Sequence, residues 1–243
     1  MIRCFLPSDR WLDKEAELDE AESKHLASVM RAQAGQRIEI LDGLGHLAAA
    51  EVVAPHKKRT SIRILSRTAL PPFAPRRILA QALVREQKMD WLIQKAVELG
   101  VHEIWPLQTE HAVVRIRSEE SDKKAIRWQA IALSACKQSG NPWMPRIAPV
   151  RELSAVLAAR PPGAACFGAL QENSIPLPAF FGRLRQEHCP QVTMFIGPEG
   201  DFNAAEVAAL LSAKVQPVAF GPIVFRVETA ALFILSALQY AWM

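Results

Sequence analysis

The sequence predicts an α/β protein: a parallel β-sheet covered by helices, preceded by a small domain of short strands. Three observations predict it. From residue 77 onward, apolar runs of strand length alternate with amphipathic runs of helical length, which is how a parallel sheet covered on both faces reads. Before residue 70, short alternating segments are separated by glycine-containing turns, as in a small β-barrel. Between the two lies Leu70-Pro71-Pro72-Phe73-Ala74-Pro75, with three prolines in six residues, which stiffens the chain and bars regular structure. The predicted domains are residues 1–70 and 76–243.

In the first domain, Glu20 to Ala32 has helical spacing, with Leu26, Val29 and Met30 on one side and Gly35 as the stop. Arg37 to Leu41 alternates as a strand, Asp42-Gly43-Leu44-Gly45 turns the chain, and His46 to Val53 returns. Ser61 to Leu65 alternates again, and Pro55-His56-Lys57-Lys58-Arg59 puts three positive charges on the intervening loop. Those charges either touch phosphate or form a solvated surface run.

In the second domain, Arg77 to Val84 reads as a buried strand and Met89 to Leu99 as an amphipathic helix closed by Gly100. Val101 to Leu107 is the next strand and Asp122 to Gln138 a long helix. Ala164 to Leu170 and Val192 to Ile196 are further apolar runs of strand length. Asn203 to Ala213 is a helix with Asn203 as cap and Glu206 three residues on, a capping box. Pro217 to Phe220 is a last short strand, and Glu228 to Ala241 a closing helix.

Half of the residues are apolar and 22% are charged, so a sizeable core is available and disorder is disfavoured. The net charge of +4, with both signs mixed along the chain, permits nucleic-acid binding without demanding it. Cys4, Cys136, Cys166 and Cys189 are too scattered for a CxxC zinc site, so no metal is expected, and unpaired thiols fit a reducing cytosol. The first ten residues lack the apolar core of a signal peptide, and the most apolar stretch, Ala230 to Met243, is too short to cross a bilayer. A soluble, cytoplasmic protein is expected.

Ligands of open α/β sheets bind beyond the carboxyl ends of the strands. Two Gly-Pro loops lie there: Gly197-Pro198-Glu199-Gly200 after the Val192–Ile196 strand, and Gly221-Pro222-Ile223-Val224-Phe225-Arg226 after the Pro217–Phe220 strand. Neither GxxxxGK[ST] nor a GxGxxG after a strand is present, which argues against triphosphate and dinucleotide cradles. Each loop alone reads as an ordinary turn. As consecutive strand–loop–helix units they read as the two halves of a ligand clasp.

These loops and several other stretches carry a resemblance. They are His25-Leu26-Ala27-Ser28-Val29-Met30-Arg31, Gly35 through Gly45, Lys88 through Gly100, Arg127-Trp128, Gln138-Ser139-Gly140, Ile196 through Phe202, and Phe225 through Ala230. With them the chain resembles, nearly end to end, the ribosomal RNA small subunit methyltransferase E family. The resemblance implies a SPOUT-type fold with a C-terminal trefoil knot and a PUA-like N-terminal RNA-binding domain. It implies transfer of a methyl group from S-adenosylmethionine to N3 of a uridine in 16S rRNA. The implied partners are 16S rRNA within the assembled small ribosomal subunit and a second copy of the chain, with no membrane. Two alternatives stay open: a SPOUT methyltransferase for another RNA site, and a non-catalytic RNA-binding or ribosome-assembly factor.

Carried over position by position, the implied cofactor contacts are Leu170, Ile196, Gly197, Glu199, Gly200, Phe220, Gly221, Phe225, Glu228 and Thr229. Glu199 either orients the cofactor amine or ties the loop to a backbone donor. Uridine N3 is protonated at neutral pH, so the site needs a base or a positive charge that stabilises the anion. Arg226 is the candidate for that catalytic charge, or else a phosphate-binding or surface arginine. His25 and Arg31 resemble RNA-touching residues, His25 being otherwise a core histidine, and Lys57, Lys58 and Arg59 join them. Lys88, Arg115, Lys123, Lys124 and Arg127 are weaker RNA candidates. The apolar closing helix fits either a dimer interface or the core of one subunit. The sequence departs from the family pattern at Ile223, Asn141 and His111-Ala112, where arginine-containing motifs are usual, and at Asp201, where a second glycine is common.

Overall fold

A computed structural model of the chain describes residues 1–11, 14–169 and 173–243. It divides into two compact units, Met1–Pro72 with Leu133–Met144, and Phe73–Ala132 with Pro145–Met243. The proline-rich stretch therefore contains the break, and a later segment, 133–144, groups with the N-terminal residues.

The first unit begins with β1 (Arg3–Phe5), β2 (Glu15–Glu17) and α1 (Glu20–Lys24), followed by β3 (Arg37–Leu41), β4 (His46–Ala54) and β5 (Ser61–Ala69). They form one curled sheet, a half-barrel, in the order β1-β3-β4-β5-β2. β1 runs parallel to β3, and the other pairs are antiparallel. Strand alternation sends Ile38 and Ile40, Ala48, Ala50 and Val52, and Ile62 and Ile64 into a shared core with Cys4, Leu6 and Trp11. Asp19 caps α1 by accepting the Glu22 N–H at 2.8 Å.

The helix continues only through a π-type turn, His25–Val29, and not to Ala32. Met30 N–H donates to His25 O at 3.0 Å and Ala32 N–H to Leu26 O at 3.1 Å, while Arg31 takes the left-handed conformation (φ 51°) that ends the helix.

The second unit runs β6 (Arg76–Ala82), α2 (Glu86–Glu98), β7 (Glu103–Gln108), α3 (Ser118–Ser139), β8 (Arg146–Ile147), β9 (Arg151–Glu152), α4 (Leu153–Ala159), β10 (Ala164–Gly168), β11 (Ile175–Pro176), α5 (Leu177–Gln186), β12 (Gln191–Ile196), α6 (Ala204–Ser212), β13 (Gln216–Ala219) and α7 (Val227–Ala241). From Leu133 on, the residues of α3 belong to the first unit. The sheet order is β11-β13-β10-β12-β6-β7-β8, with β9 also on β7. Every pair in it is parallel.

Alternation divides the strand residues between two faces. Ile78, Ala80, Trp105, Leu107, Ala165, Phe167 and Phe195 share one core with Leu153 and Val156 of α4 and Leu210 of α6. On the opposite face α7 packs on β6, β12 and α2. Its apolar stripe, Val227, Ala231, Ile234, Leu235 and Leu238, is buried within the unit, while Tyr240 is exposed. No helix among the described residues is long and apolar enough to cross a membrane.

Candidate functional site

β13, β10, β12 and β6 are neighbours in the sheet, so the segments leaving their carboxyl ends converge. A cavity of about 650 Å³ lies there, lined by Gly168 at the end of β10 and Ala169 after it, both Gly-Pro loops, Lys88 of α2 and Ala230 of α7. That volume suits a small-molecule ligand of cofactor size.

The loop after β12 is tightly folded. Asp201 N–H donates to Pro198 O at 3.0 Å, closing a turn. Asp201 itself is left-handed (φ 60°), and its carboxylate accepts the Phe202 N–H at 2.8 Å, the local bond that lets a short polar side chain tolerate this conformation. Phe202 is then buried edge-on against Phe167, with ring centroids 6.3 Å apart. The predicted capping box starts α6: Asn203 accepts the Glu206 N–H at 2.8 Å and Glu206 accepts the Asn203 N–H at 2.9 Å. From the segment after β7, His111 Nδ1 donates to Gly200 O and Asp201 O at 2.9 and 3.1 Å.

The loop after β13 is held by aromatic packing. Phe225 stacks on Phe220 with centroids 6.4 Å apart and meets Phe233 edge-on at 5.0 Å. Gly221 has φ 139°, and a Cβ there would meet no atom within 4 Å. It is therefore the backbone angle, beside an open cavity, that calls for glycine. Ile223 and Val224 are 70% and 69% exposed at the rim. Arg226 is the non-helical cap residue of α7 (φ −65°, ψ 155°) and lines the cavity with its side chain exposed.

Charge is concentrated at the mouth. Lys88 Nζ lies 3.2 Å from Glu228 and 3.7 Å from Glu199. Burial pushes the Glu228 carboxyl upward, but its own backbone N–H, the Lys88 hydrogen bond and charge, and the Arg226 charge together hold it below the usual carboxylate value. The arrangement offers backbone and apolar walls to a flat neutral group, with the carboxylates of Glu199 and Glu228 and the cations of Lys88 and Arg226 beside it for a charged end.

Ile196, Gly197, Glu199 and Gly200 line the cavity, as do Phe220, Gly221 and Phe225. Glu228 is not among the lining residues but is ion-paired with Lys88, which is. Thr229 is exposed on the first turn of α7 and is not among the lining residues, and Leu170 lies outside the described residues. Asp201 and Lys88 line the cavity although the sequence marked Asp201 only as a departure and Lys88 only as an RNA candidate. The overlooked signal for Lys88 is its place at the start of the helix after β6, a strand that proves to be β12's neighbour.

The remaining candidates lie in the first unit. His25 and Arg31 are exposed at either end of the π-type turn, so His25 is not a core residue. Lys57, Lys58 and Arg59 are exposed on the loop between β4 and β5. That loop is shaped by His56, whose Nδ1 accepts the Lys58 and Arg59 N–H groups at 3.2 and 3.3 Å. No cluster of His, Cys, Asp and Glu fit to hold a metal ion occurs among the described residues.

Comparison with known proteins agrees with this geometry. Residues 72–239 match a family model described as an RNA methyltransferase domain, and residues 18–65 match an RNA methyltransferase PUA domain. The chain is 30% identical to ribosomal RNA small subunit methyltransferase E of Bacillus subtilis, over 90% of this chain and 87% of that one. Its Mycobacterium tuberculosis counterpart is 28% identical over 91% and 85%. Among solved structures, ribosomal RNA small subunit methyltransferase E from Neisseria gonorrhoeae, bound to S-adenosyl methionine, superimposes with a TM-score of 0.88 at 27% identity, covering 100% of this chain and 98% of that one. A Legionella pneumophila methyltransferase in complex with the bound cofactor SAM gives 0.87 at 29% identity, covering 99% and 97%. Fold, converging loops and matched sequence agree: this chain belongs to the ribosomal RNA small subunit methyltransferase E family.

Proposed function

We propose that this chain uses S-adenosylmethionine to methylate N3 of one uridine in 16S rRNA of the small ribosomal subunit. The observation that carries the reading is that the loops after β12 and β13, strands flanking β10, line one cavity. The residues present fit the cofactor: a glycine at a backbone angle other residues avoid leaves the wall open at Gly221, apolar side chains suit a neutral adenine, and acidic residues at the mouth suit an amine and a sulfonium. The bound S-adenosylmethionine of the Neisseria gonorrhoeae relative supports the same assignment.

When bound, S-adenosylmethionine supplies an electrophilic methyl group on its sulfonium. Ile196, Phe220 and Phe225, with Leu170 and the backbone of Gly197, Gly200 and Gly221, would hold the adenosine portion. Glu199, Glu228 and Thr229 would serve the charged end, with Lys88 ion-paired to both glutamates. Holding two reactants in line contributes about 7–11 kcal/mol to such a reaction. The exposed Arg226 guanidinium, free of hydrogen bonds and ion pairs to described residues, stabilises the anion that forms as uridine N3 loses its proton.

In the same reading, residues 1–70 are a PUA-like RNA-binding domain and 76–243 the methyltransferase domain. His25, Arg31, Lys57, Lys58 and Arg59 contact RNA, and all five are exposed. The enzyme works in the cytoplasm as a homodimer on 16S rRNA within the assembled subunit. The C-terminal segment forms a trefoil knot, a reading supported by the way the chain passes from β12 to β13 across β10. A second reading, methylation of another RNA site, is favoured by one observation: Ile223 presents an apolar surface at the rim where the family commonly carries arginine. Incubation with methyl-labelled S-adenosylmethionine tests both. Label is expected in assembled small subunits in preference to naked 16S rRNA, and label in neither overturns the proposal.

A further inference from the structure

We infer that His111 is a positioning residue that holds the first Gly-Pro loop in its cofactor-binding shape, an inference that rests on reading the cavity as an S-adenosylmethionine site. Its Nδ1 lies 2.9 Å from Gly200 O and 3.1 Å from Asp201 O. Both partners are carbonyls, so Nδ1 carries the hydrogen and a single N–H is shared between consecutive residues of the loop. The approach is close. A Cβ on Gly200 would sit 3.0 Å from His111 Cβ, so a side chain at 200 would crowd His111.

The segment bearing His111 is itself built in. Glu110 N–H donates to Glu206 Oε1 at 2.9 Å, while Glu206 Oε2 accepts the Asn203 N–H, so one carboxylate ties this segment to the start of α6. Behind it, buried Gln108 accepts the Ile116 N–H at 3.1 Å and donates to Val114 O at 3.3 Å. Arg115 closes the segment further by donating to Glu110 O at 2.9 Å. The strap is therefore anchored at both ends, and His111 points from it onto the loop.

What it adds to is a loop whose own two local hydrogen bonds already hold an uncommon backbone conformation. Asp201 is left-handed, a region few residues other than glycine adopt and one it holds with its own carboxylate bonded to the Phe202 N–H, and both Asp201 and Gly200 line the cavity. Without the shared N–H, the loop gains alternative conformations, and ligand binding must then supply the cost of ordering it. Such a loss appears in affinity and KM, with kcat spared, because the restraint acts equally before and during the reaction.

The test compares His111→Ala, His111→Asn and His111→Gln by calorimetry with S-adenosylmethionine, by steady-state methyl transfer, and by melting of the free protein. Asparagine puts an N–H near the position of Nδ1, whereas glutamine puts it further out. His111→Ala is expected to raise Kd and cofactor KM about tenfold (~1.4 kcal/mol), with kcat within about twofold and an unchanged melting temperature. His111→Asn is expected to recover most of that affinity and His111→Gln little. Wild-type affinity in His111→Ala, or an asparagine variant as weak as alanine, overturns the role. Failure of the wild-type protein to bind S-adenosylmethionine is a different result, and it removes the reading of the cavity as well.

Discussion

The Lys88 ammonium stands 3.2 Å from a carboxylate oxygen of Glu228, joining the first turns of α2 and α7 at the mouth of the cavity. Glu228 is mostly buried and held below its ordinary carboxylate value, so its ionised form stabilises the fold. For a depressed carboxylate, that contribution is present above the unfolded value near pH 4.5 and is lost as pH falls through the folded value. Replacing Lys88 by methionine is expected to cost less than about 1 kcal/mol at pH 7, as suits a partly exposed pair. Urea unfolding at several pH values should show that difference shrinking once Glu228 is protonated. A difference that is constant with pH would contradict the assignment.

His102 titrates with the opposite consequence. Burial, together with the charges of Arg77 and Arg76, pushes it from 6.5 down to about 4. Its Nδ1 accepts the Arg77 N–H at 3.1 Å, so Nε2 carries the hydrogen in the neutral ring. Between pH 6.5 and about 4 the unfolded chain binds a proton that the folded chain does not, so stability falls as pH falls through this window. The full effect is on the order of 3 kcal/mol. His102→Asn keeps an acceptor for Arg77 and removes the titration. Its stability should decline less than that of the wild-type protein from pH 6.5 to 4, and parallel declines would exclude His102 as the source.

At Gly221 the backbone, at φ 139°, and not crowding, demands glycine. Valine there should distort the second loop and weaken S-adenosylmethionine binding at least about tenfold, since strained backbone positions cost on the order of 1–3 kcal/mol. Because the loop lies at the rim, the free protein should still melt cooperatively. Undiminished cofactor affinity in Gly221→Val would separate this loop from the site.

Lys57, Lys58 and Arg59 are exposed on a loop whose backbone His56 already shapes. If these side chains neutralise phosphates, changing all three to alanine should make log K for RNA less dependent on log salt by about 2, at roughly 0.7 per single-stranded phosphate contact. S-adenosylmethionine affinity should not change. An unaltered salt slope would mark the three as a solvated surface run.

What could be read in advance was local. Each Gly-Pro loop, its strand and its following helix lie within about thirty residues of the other unit, and the Asn203–Glu206 capping box is written in adjacent turns. Sheet order is not local. Nothing in the sequence places β10 between β12 and β13, or β6 beside β12, and so spacing alone does not connect Lys88 with the clasp. The second oxygen of Glu206 and the ring of His111 reach across 96 and 89 residues, beyond any pattern of spacing.

Other elements were hidden by their own chemistry. α5 begins with proline in its first turn, where the missing N–H costs nothing, although proline otherwise reads as a breaker. β8, β9 and β11 span two residues each, too few for alternation to register. Helical spacing over Glu20–Ala32 overstates the helix because its last turn is of the wider π type and ends on Arg31, where glycine is the usual signal.

The central claim is that this cavity serves methyl transfer to one uridine of the small subunit. It is tested most directly by locating the label. Small subunits from cells lacking the protein would be incubated with it and methyl-labelled S-adenosylmethionine, and their 16S rRNA digested and mapped by mass spectrometry. The prediction is a single labelled nucleotide, a uridine methylated at N3. Label at another position, in another RNA, or in none would contradict it.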